Sequence, residues 1–448
     1  MTKHKFDLVV LGTGPAGNNV TYKCKEAGLS VAVIESGSPG GTCSQTGCDA
    51  KKPLVNTAEI LDWFNRMQGK GIEGKGYIDW QKLIEFKRVF TKPIPGDTRD
   101  KLTRNKIHLF EGKPKFVDEN TFQVGEEIIS ARWIVIATGA RTKELNIQGE
   151  EMVLTSDQFM ELDKLPEDIV FIGGGYVSFE FAHVAARAGA DVTIIEKNER
   201  MLENFDQDLV RLLIKSSEAS GIEVEKGKCV DCVRKVNEKF LAECNKGRNI
   251  FEADILVHGA GRIPNVDGLD LSKANIEFGP DGIHVNEYLQ SVSNPAVYSA
   301  GDVSATDGLP LTPVATLEGA IVASNILENN SKTVDYTGVS TSLFTVPALV
   351  SVGLTEKQAE EKGLDVTVNY ENTSDKKLYQ QLGAEYSAYK VLVDNKTEDI
   401  VGAHILGPDA YEVINIFAIA MRAGLNSNDL KKAVLAYPSK ISTVKWML

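Results

Sequence analysis

The sequence predicts an α/β fold that contains the same strand–loop–helix–strand unit twice. Each copy begins with a short apolar stretch and continues into a glycine-rich loop: Phe6–Leu11 with Gly12-Thr-Gly-Pro-Ala-Gly17, and Ile169–Ile172 with Gly173-Gly-Gly-Tyr-Val-Ser178. A second apolar stretch then ends in an acid, Glu35 in the first copy and Glu196 in the second, at the same distance from the first glycine. This order is typical of a Rossmann-like unit, so we expect two of them.

The two units predict two dinucleotide sites. In such a unit the glycines let the backbone approach the pyrophosphate, the helix N-terminus receives it, and the acid binds ribose hydroxyls. The residues assigned to this task are Gly12, Gly14, Gly17 and Glu35 in the first unit and Gly173, Gly175 and Glu196 in the second. Ser178 replaces the third glycine of the second loop, so that loop taken alone could be a structural turn. The shared spacing of the acids favours a binding site.

Two cysteines separated by four residues follow the first loop, in the run Gly40-Gly-Thr-Cys-Ser-Gln-Thr-Gly-Cys-Asp-Ala-Lys-Lys52. A regular helix would place their Cα atoms roughly 8–9 Å apart, whereas a disulfide needs about 4.4–6.8 Å. The segment must therefore be bent, and Gly47 permits this because it has no Cβ atom. A disulfide and its dithiol differ by two electrons, and a hydride carries two. A dinucleotide site beside Cys43 and Cys48 thus predicts electron transfer from a flavin to a disulfide.

Length and composition limit the other possibilities. A chain of 448 residues with 42% hydrophobic content predicts about three domains. The formal charge of −13 argues against a nucleic-acid or anionic-membrane partner. No apolar run approaches the ~18 residues that span a bilayer, and residues 1–7 lead directly into the first strand. We therefore expect a cytoplasmic protein. The remaining cysteines are expected to be structural, with no metal site: Cys24, Cys229, Cys232 and Cys244.

The chain resembles the pyridine nucleotide-disulfide oxidoreductase family, whose members include glutathione reductase, dihydrolipoyl dehydrogenase and mercuric reductase. Besides the cysteine segment, the resemblance rests on motifs that follow one another along nearly the whole chain. These motifs are Ala137-Thr-Gly-Ala140, Gly173-Gly-Gly-Tyr-Val-Ser-Phe-Glu180, Gly261-Arg-Ile-Pro264, Tyr298-Ser-Ala-Gly-Asp302, Leu311-Thr-Pro-Val-Ala315, Phe344-Thr-Val-Pro347 and Val352-Gly-Leu-Thr355.

The resemblance implies three domains and their cofactors. Residues 1–148 and 276–330 would form an FAD-binding domain, the inserted residues 149–275 an NAD(P)-binding domain, and residues 331–448 an α+β dimerisation domain. It also implies a homodimer in which the C-terminal segment of one protomer completes the active site of the other. Further residues that it places at the cofactors are Thr42, Lys52, Thr138, Gly139, Asp302 and Thr312 for FAD, with Tyr176 and Gly261 for the nicotinamide dinucleotide.

Roles for the catalytic residues follow from the same resemblance. Cys48 would be the flavin-proximal sulfur that forms a charge-transfer thiolate, and Cys43 the interchange thiol that attacks the substrate. Lys52 would hydrogen-bond near flavin N5 and pair with Glu180. A cation at that position stabilises the anionic reduced flavin, and the carboxylate lowers the cost of burying the lysine.

The chain departs from the family near its C-terminus. The family has His-Pro-Thr followed by a glutamate, and the histidine takes and returns the proton of the interchange thiol. This chain reads Ala436-Tyr-Pro-Ser-Lys-Ile-Ser442, with Tyr437 in place of the histidine and Ser442 in place of the glutamate. A phenol of pKa about 10 is ionised in only about one molecule in a thousand at pH 7. Tyr437 is therefore a poor general base but a usable hydrogen-bond donor, and simple packing is the alternative.

The second unit favours NADH over NADPH. Glu196 and Glu203 take the places that arginines hold in the NADPH-dependent glutathione reductases, and a carboxylate repels the 2′-phosphate. Lys197 and Arg200 lie close enough in sequence to keep NADP(H) as the alternative.

The electron acceptor is a small molecule whose identity stays open. The leading hypothesis is a disulfide or a related sulfur compound. The same reduced centre could instead serve a metal ion, a quinone or an oxidant, and a non-catalytic flavoprotein with a relic site is the third hypothesis. Tyr22 and Ala320 replace two arginines that bind glutathione disulfide, and the chain lacks the C-terminal cysteine pair that mercuric reductase needs.

Overall fold

The computed structural model describes residues 2–448, which form two compact units. The first consists of residues 2–51, Lys87–Lys143 and Arg262–Tyr336, and the second of Lys52–Phe86, Glu144–Gly261 and Thr337–Leu448. Within residues 2–448, no helix is both long enough and apolar enough to cross a membrane. The division into three domains stays a prediction.

A largely parallel sheet forms the centre of the first unit. Its first four strands are, in spatial order, His108–Glu111, Val31–Glu35, Thr2–Leu11 and Glu127–Ile136, and Val297–Ser299 pairs with the end of the last. Leu8, Val9, Val10 and Leu11 are fully buried, because a parallel strand covered on both faces is apolar throughout. The predicted first strand is confirmed, and it begins earlier than expected, at Thr2.

The other elements of the first unit are short strands and four helices. The strands are Lys115–Asp118, Thr121–Val124, Ala140–Thr142, Arg262–Pro264, Phe278–Gly279, Gly282–His284 and Ser304–Ala305. The helices are Pro15–Glu26, Gly41–Thr46, Ile94–Arg104 and Thr312–Glu328, with a 3₁₀ turn at Leu271–Ala274. The helices Cys48–Arg66 and Trp80–Thr91 each contain one of the five points where the chain passes from one unit to the other.

Two helices of the first unit cross in close contact. A Cβ atom at Gly319 in Thr312–Glu328 would lie 2.5 Å from the carbonyl oxygen of Ala16 in Pro15–Glu26. Glycine at this crossing lets the backbones touch. The contact fixes the helix that begins at Thr312 against the helix that follows the first glycine loop.

The second unit repeats the parallel arrangement. Its strands are, in spatial order, Ile222–Glu225, Asp191–Ile195, Asp168–Ile172 and Ile255–His258. The helix Tyr176–Arg187 follows the second glycine loop and has the same length, 12 residues, as the helix Pro15–Glu26 after the first. The predicted repeat of strand, loop, helix and strand is therefore confirmed.

The second unit also contains two antiparallel sheets. The smaller one has the strands Val230–Val236, Lys239–Cys244 and Asn249–Ala253, and the larger one has, in spatial order, Ser340–Leu343, Ala348–Gly353, Ile400–Gly407, Ala388–Asp394 and Val366–Asn372. The remaining helices are Ser156–Phe159, Gln207–Ala219, Glu356–Glu361, Lys377–Gln380, Ala410–Arg422 and Ser427–Lys432, with 3₁₀ turns at Glu150–Met152 and Ile441–Trp446. The sequence predicts strands at Ala388–Val393 and Ile400–Leu406 and helices at Glu356–Glu361 and Tyr411–Ala423, and the structure confirms all four to within a residue at each end.

Candidate active site

The cysteine segment is bent, as the spacing of its sulfurs requires. The helix Gly41–Thr46 ends before Gly47, and the helix Cys48–Arg66 begins after it. A Cβ atom at Gly47 would lie 2.9 Å from the carbonyl oxygen of Thr42 and 3.0 Å from the Cα atom of Cys43. Only glycine therefore allows the second helix to start so close to the first.

The bend brings the two cysteine side chains into contact. A hydrogen bond to Cys48 raises the pKa of the Cys43 thiol, burial adds to this shift, and a hydrogen bond to Thr312 opposes it. The Sγ atom of Cys48 lies 3.5 Å from the Oγ1 atom of Thr312, the first residue of a 17-residue helix. A helix N-terminus stabilises negative charge. Cys48 is therefore placed to carry a thiolate while Cys43 keeps its proton.

The first glycine loop lies beside these cysteines. Gly12 has φ +102°, and a Cβ atom there would lie 2.4 Å from the carbonyl oxygen of Ala137. At Gly14 a Cβ atom would meet nothing within 4 Å, whereas one at Gly17 would lie 2.2 Å from the Gly12 carbonyl oxygen. The loop is thus tightly packed at Gly12 and Gly17 and open at Gly14. A Cβ atom at Gly41 would lie 2.6 Å from the Gly14 Cα atom, so the cysteine segment packs directly on this loop.

Glu35 is held by Thr13 of the first glycine loop and by Gly37, which follows its strand. Its Oε2 atom accepts hydrogen bonds from the Thr13 amide at 3.0 Å and the Thr13 hydroxyl at 2.6 Å, and its Oε1 atom accepts one from the Gly37 amide at 3.0 Å. A carboxylate can accept about four hydrogen bonds, so one position is left for a ribose hydroxyl. The sequence did not predict the part played by Thr13, although a hydroxyl inside the loop was a visible signal.

The remaining residues predicted at the first dinucleotide differ in their surroundings. The Thr138 hydroxyl donates to the carbonyl oxygen of Asn265 at 2.6 Å, Gly139 has φ +67° and faces open space, and Thr42 is exposed. Asp302 is half-buried, and this burial raises the pKa of its carboxyl group against the opposing charge of Arg262. Asp302 thus offers a carboxyl group partly shielded from water, while the Thr138 hydroxyl already bonds to the protein backbone.

The second loop has the same geometry as the first. Gly173 has φ +104°, and a Cβ atom there would lie 2.5 Å from the Cα atom of Ala260. Glu196 accepts hydrogen bonds from the Gly174 amide at 2.7 Å and the Asn198 amide at 2.9 Å. Two glycine loops therefore hold two glutamates in matching ways.

Ser178 is accommodated by a glycine on the neighbouring strand segment. Its side chain is fully buried, and a Cβ atom at Gly259 would lie 2.0 Å from its Oγ atom. Gly175, at the start of the same helix, would bring a Cβ atom to 3.2 Å from the Gly259 carbonyl oxygen. The missing side chain at Gly259 thus provides the space that the third glycine of the loop would otherwise provide.

Two further predicted residues lie in the second unit near its loop. The Tyr176 hydroxyl is 2.8 Å from the Thr341 hydroxyl, its ring centroid is 5.4 Å from that of Phe205, and burial raises its pKa. Gly261 has φ +111° and is exposed at the end of the segment after Ile255–His258.

Lys52 and Glu180 share a neighbour in the second unit. Glu180 is buried and accepts a hydrogen bond from the Phe344 amide at 2.9 Å. The Lys52 Nζ atom lies 4.4 Å from the ring centroid of Phe344 and 4.4 Å from that of Tyr411. The sequence did not predict these aromatic contacts, because Phe344 and Tyr411 lie 292 and 359 residues after Lys52 along the chain.

Tyr437 is exposed on the C-terminal segment, with 79% of its surface accessible. It borders a cavity of about 290 Å³ whose lining also includes Leu435, Ser442 and Trp446. Ser442 is buried, and its amide donates to the Ser439 hydroxyl at 3.2 Å while its own hydroxyl donates to the Ser439 carbonyl oxygen. Ser442 therefore stabilises the turn that follows Tyr437.

A dithiol packed on one dinucleotide loop, together with a second loop of the same kind, defines a flavin-linked disulfide oxidoreductase. The chain belongs to the pyridine nucleotide-disulphide oxidoreductase family. Residues 6–319 match the model of that family and residues 339–448 match the model of its dimerisation domain. The protein is accordingly an oxidoreductase that binds FAD and NAD(P)H and forms a homodimer.

Similar proteins differ in the substrates that their names record. The chain is 32% identical to a glutathione reductase of Nostoc sp., covering 97% of each protein, and 31% identical to a mercuric reductase of Lysinibacillus sphaericus, covering 98% of this chain and 81% of the relative. A solved structure of the HOCl-induced flavoprotein disulfide reductase RclA from Escherichia coli, in complex with Cu(II), superposes with a TM-score of 0.89 at 26% identity over 99% of both chains.

The residues present fit the two cofactors. The open face at Gly14 and the remaining acceptor position of Glu35 suit the pyrophosphate and ribose of FAD in the first unit. Gly173 and Glu196 repeat that arrangement in the second unit, where the nicotinamide dinucleotide would bind.

Proposed function

We propose that this protein passes electrons from NADH through FAD to a Cys43–Cys48 disulfide and then to a disulfide or related sulfur substrate. The observation that carries the proposal is the contact between the two cysteine side chains in a segment that packs on the Gly14 loop. When bound, FAD supplies the transfer of an electron pair between the nicotinamide and the protein disulfide.

The thiol chemistry follows from the two cysteine environments. One electron pair and one proton convert the disulfide into a thiolate at Cys48 and a thiol at Cys43. Cys43, after losing its proton, attacks one sulfur of the substrate, whose S–S bond breaks as a mixed disulfide forms and the first substrate thiolate leaves. The Cys48 thiolate then attacks the Cys43 sulfur, which restores the protein disulfide and releases the second substrate thiolate. The proton from Cys43 and one proton from solvent convert the two released thiolates into thiols, which completes the balance.

Tyr437 has the role of a hydrogen-bond donor in this proposal. Its exposed hydroxyl can stabilise a leaving thiolate or orient the substrate, whereas a phenol is a poor substitute for the histidine as a general base. We also propose that Tyr437 acts on the partner protomer's dithiol, with the active site shared across the dimer.

NADH is the proposed electron donor. Glu196 is fixed by the Gly174 and Asn198 amides, so its negative charge cannot swing away from a 2′-phosphate. Lys197 and Arg200 are exposed and are the alternative source of a phosphate site for NADPH.

We also propose a cytoplasmic location, because the reducing cytosol keeps thiols reduced and cysteine pairs there are more often catalytic than structural.

Anaerobic titration with NADH tests the first half of the reaction. We expect the wild-type protein to take up two electrons per flavin. A long-wavelength absorbance band should appear at the same time, and Cys43 should become reactive toward an alkylating reagent. If electrons enter without either change, the disulfide mechanism is wrong. Loss of turnover in Cys43→Ser on a panel of disulfides would identify Cys43 as the attacking thiol.

A metal ion or an oxidant is the second candidate acceptor. Two relatives favour it: one is named a mercuric reductase, and the RclA structure is an HOCl-induced reductase in complex with Cu(II). Steady-state turnover of Hg(II), Cu(II), quinones and disulfides under identical conditions distinguishes the candidates. A disulfide with the highest kcat/KM supports the leading proposal, and a metal ion or oxidant with the highest value replaces it.

A further inference from the structure

We propose that Phe344, Tyr411 and Glu59 form a clamp that holds the Lys52 ammonium group in one position. These three side chains form the Lys52 clamp. The inference rests on the proposed function, because that function is what gives Lys52 a role toward the flavin. It makes the clamp a set of positioning residues that act through Lys52.

Two aromatic rings enclose the ammonium group. The Lys52 Nζ atom lies 4.4 Å from each ring centroid, and the two centroids are 5.7 Å apart at an interplanar angle of 47°. An ammonium group within about 6 Å of a ring centroid is attracted by the negative face of the ring, more strongly where water is excluded. Phe344 and Tyr411 are both half-buried, so part of the solvent that would screen this attraction is absent.

Glu59 supplies the anionic part of the clamp. It lies seven residues after Lys52 in the helix Cys48–Arg66, which places the two side chains on one face of that helix. The Tyr411 hydroxyl lies 3.4 Å from the Glu59 Oε2 atom and donates a weak hydrogen bond to it. Burial raises the pKa of Glu59, while the charge of Lys52 and the bond from Tyr411 lower it. Tyr411 thus contacts both the cation through its ring and the anion through its hydroxyl.

A lysine in this position needs such support. Its four-carbon side chain is flexible, and burial alone would favour the neutral amine. The rings limit the space open to the ammonium group and, together with the Glu59 carboxylate, offset its desolvation. The clamp therefore keeps the charge of Lys52 present and fixed in direction, which is what electrostatic stabilisation of a developing negative charge requires.

The first test measures the accessibility of Lys52 without reference to catalysis. Lysines of the purified holoenzyme are labelled competitively with trace acetic anhydride, and labelling of Lys52 is compared by mass spectrometry with that of the exposed Lys357. We expect Tyr411→Leu and Phe344→Leu to raise the relative labelling of Lys52 about tenfold, and Tyr411→Phe to raise it less because the ring remains. The backbone bond from Phe344 to Glu180 is kept in Phe344→Leu. Tyr370→Leu is the matched control, since its ring lies 5.8 Å from a different lysine, Lys390.

The second test measures the flavin midpoint potential of the same variants against reference dyes. We expect Tyr411→Leu and Phe344→Leu to shift it to more negative values, with no shift in Tyr370→Leu. Unchanged Lys52 labelling in folded Tyr411→Leu and Phe344→Leu would overturn the clamp. Increased labelling with an unchanged potential would overturn its link to the flavin. Failure of the proposed function has a different signature, which is a wild-type protein whose dithiol is not reduced by NADH.

Discussion

The Oγ1 atom of Thr312 lies 3.5 Å from the Sγ atom of Cys48. This contact joins the cysteine segment to the N-terminus of the helix Thr312–Glu328. A hydroxyl and a helix N-terminus on the same sulfur favour its anionic form. The contact is therefore the structural basis for dividing the two cysteines into a thiolate and a thiol.

Replacement of that hydroxyl provides the first prediction. Thr312→Val keeps the β-branched shape and removes the hydrogen bond, so we expect alkylation of the reduced dithiol by iodoacetamide at pH 7 to slow about three- to tenfold. Thr316→Val is the control, because Thr316 is exposed one turn later in the same helix and donates to the Thr312 carbonyl oxygen. Equal rates in the two variants would remove Thr312 from the thiolate site.

Gly47 gives a prediction about stability and disulfide formation. In Gly47→Ala the new Cβ atom would lie 2.9 Å from the carbonyl oxygen of Thr42, and such overpacking costs about 1–3 kcal/mol. We expect a lower midpoint of thermal unfolding and a smaller fraction of protein with the Cys43–Cys48 disulfide formed in air. Gly96→Ala, in the exposed helix Ile94–Arg104, meets no atom within 4 Å and should be neutral or slightly stabilising. If both variants behave alike, the close approach at Gly47 carries no cost.

The bend at Gly47 was predictable because its cause is local. The separation of Cys43 and Cys48 in sequence excludes a regular helix on distance alone, and glycine marks the place where the helix breaks. The paired acids were predictable for a related reason. Glu35 and Glu196 repeat with one spacing, and the structure shows each bound to amides of its own loop region.

Contacts between distant parts of the chain left no such signal. Phe344 lies just after the end of a strand and Tyr411 lies in a helix. The sequence of each element indicates that part of it is buried, but its periodicity does not indicate a contact with Lys52. Glu59 is the exception, because its spacing from Lys52 is helical. The role of Gly259 as the space for Ser178 was hidden for the same reason, since it depends on which strand lies beside the loop.

Lys390 carries the third prediction. Its side chain is only 3% exposed and is ion-paired with Asp206, Asp208 and Glu356. In Lys390→Met the buried Asp206 carboxylate loses its cation, so we expect the free energy of unfolding at pH 7 to fall by about 3 kcal/mol. Lys357→Met is the control, because that lysine is exposed and pairs with Glu361 at 3.5 Å on the surface. Urea unfolding of both variants measures the difference, and a loss below about 1 kcal/mol in Lys390→Met would contradict it.

The same cluster predicts a dependence on pH. The hydrogen bond from Lys390 lowers the pKa of Asp208 below its ordinary value of 3.8. Because the folded-state pKa lies below that of the unfolded chain, this pair stabilises the protein above about pH 4, and the stabilisation is lost as the pH falls through the folded-state value. Lys390→Met should therefore show a shallower loss of stability than the wild type between pH 5 and pH 3. Parallel urea titrations at each pH make the comparison.

Glu196 gives a prediction about the choice between NADH and NADPH. Glu196→Gln removes the negative charge and keeps one oxygen, which can accept from the Gly174 amide or the Asn198 amide. We expect kcat/KM for NADPH to rise about tenfold relative to NADH. Glu218→Gln, an exposed acid of the helix Gln207–Ala219, should leave the ratio unchanged. A wild type that already uses NADPH better than NADH would contradict the assignment of the donor before any variant is made.

Tyr437 gives the last prediction, and because its side chain is exposed, its substitution should not disturb the fold. Tyr437→Phe removes one hydroxyl from a side chain that is 79% exposed, so folding should be unaffected, and Tyr77→Phe, at 81% exposure, is the matched control. If the hydroxyl donates a hydrogen bond to a leaving thiolate, kcat with a disulfide substrate should fall about tenfold while the rate of flavin reduction by NADH stays the same. A base at this position would instead give a kcat that depends on pH in the wild type and loses that dependence in Tyr437→Phe. Stopped-flow reduction and steady-state turnover between pH 6 and pH 10 separate these cases, and a tyrosine that serves only packing would leave both rates equal to those of Tyr77→Phe.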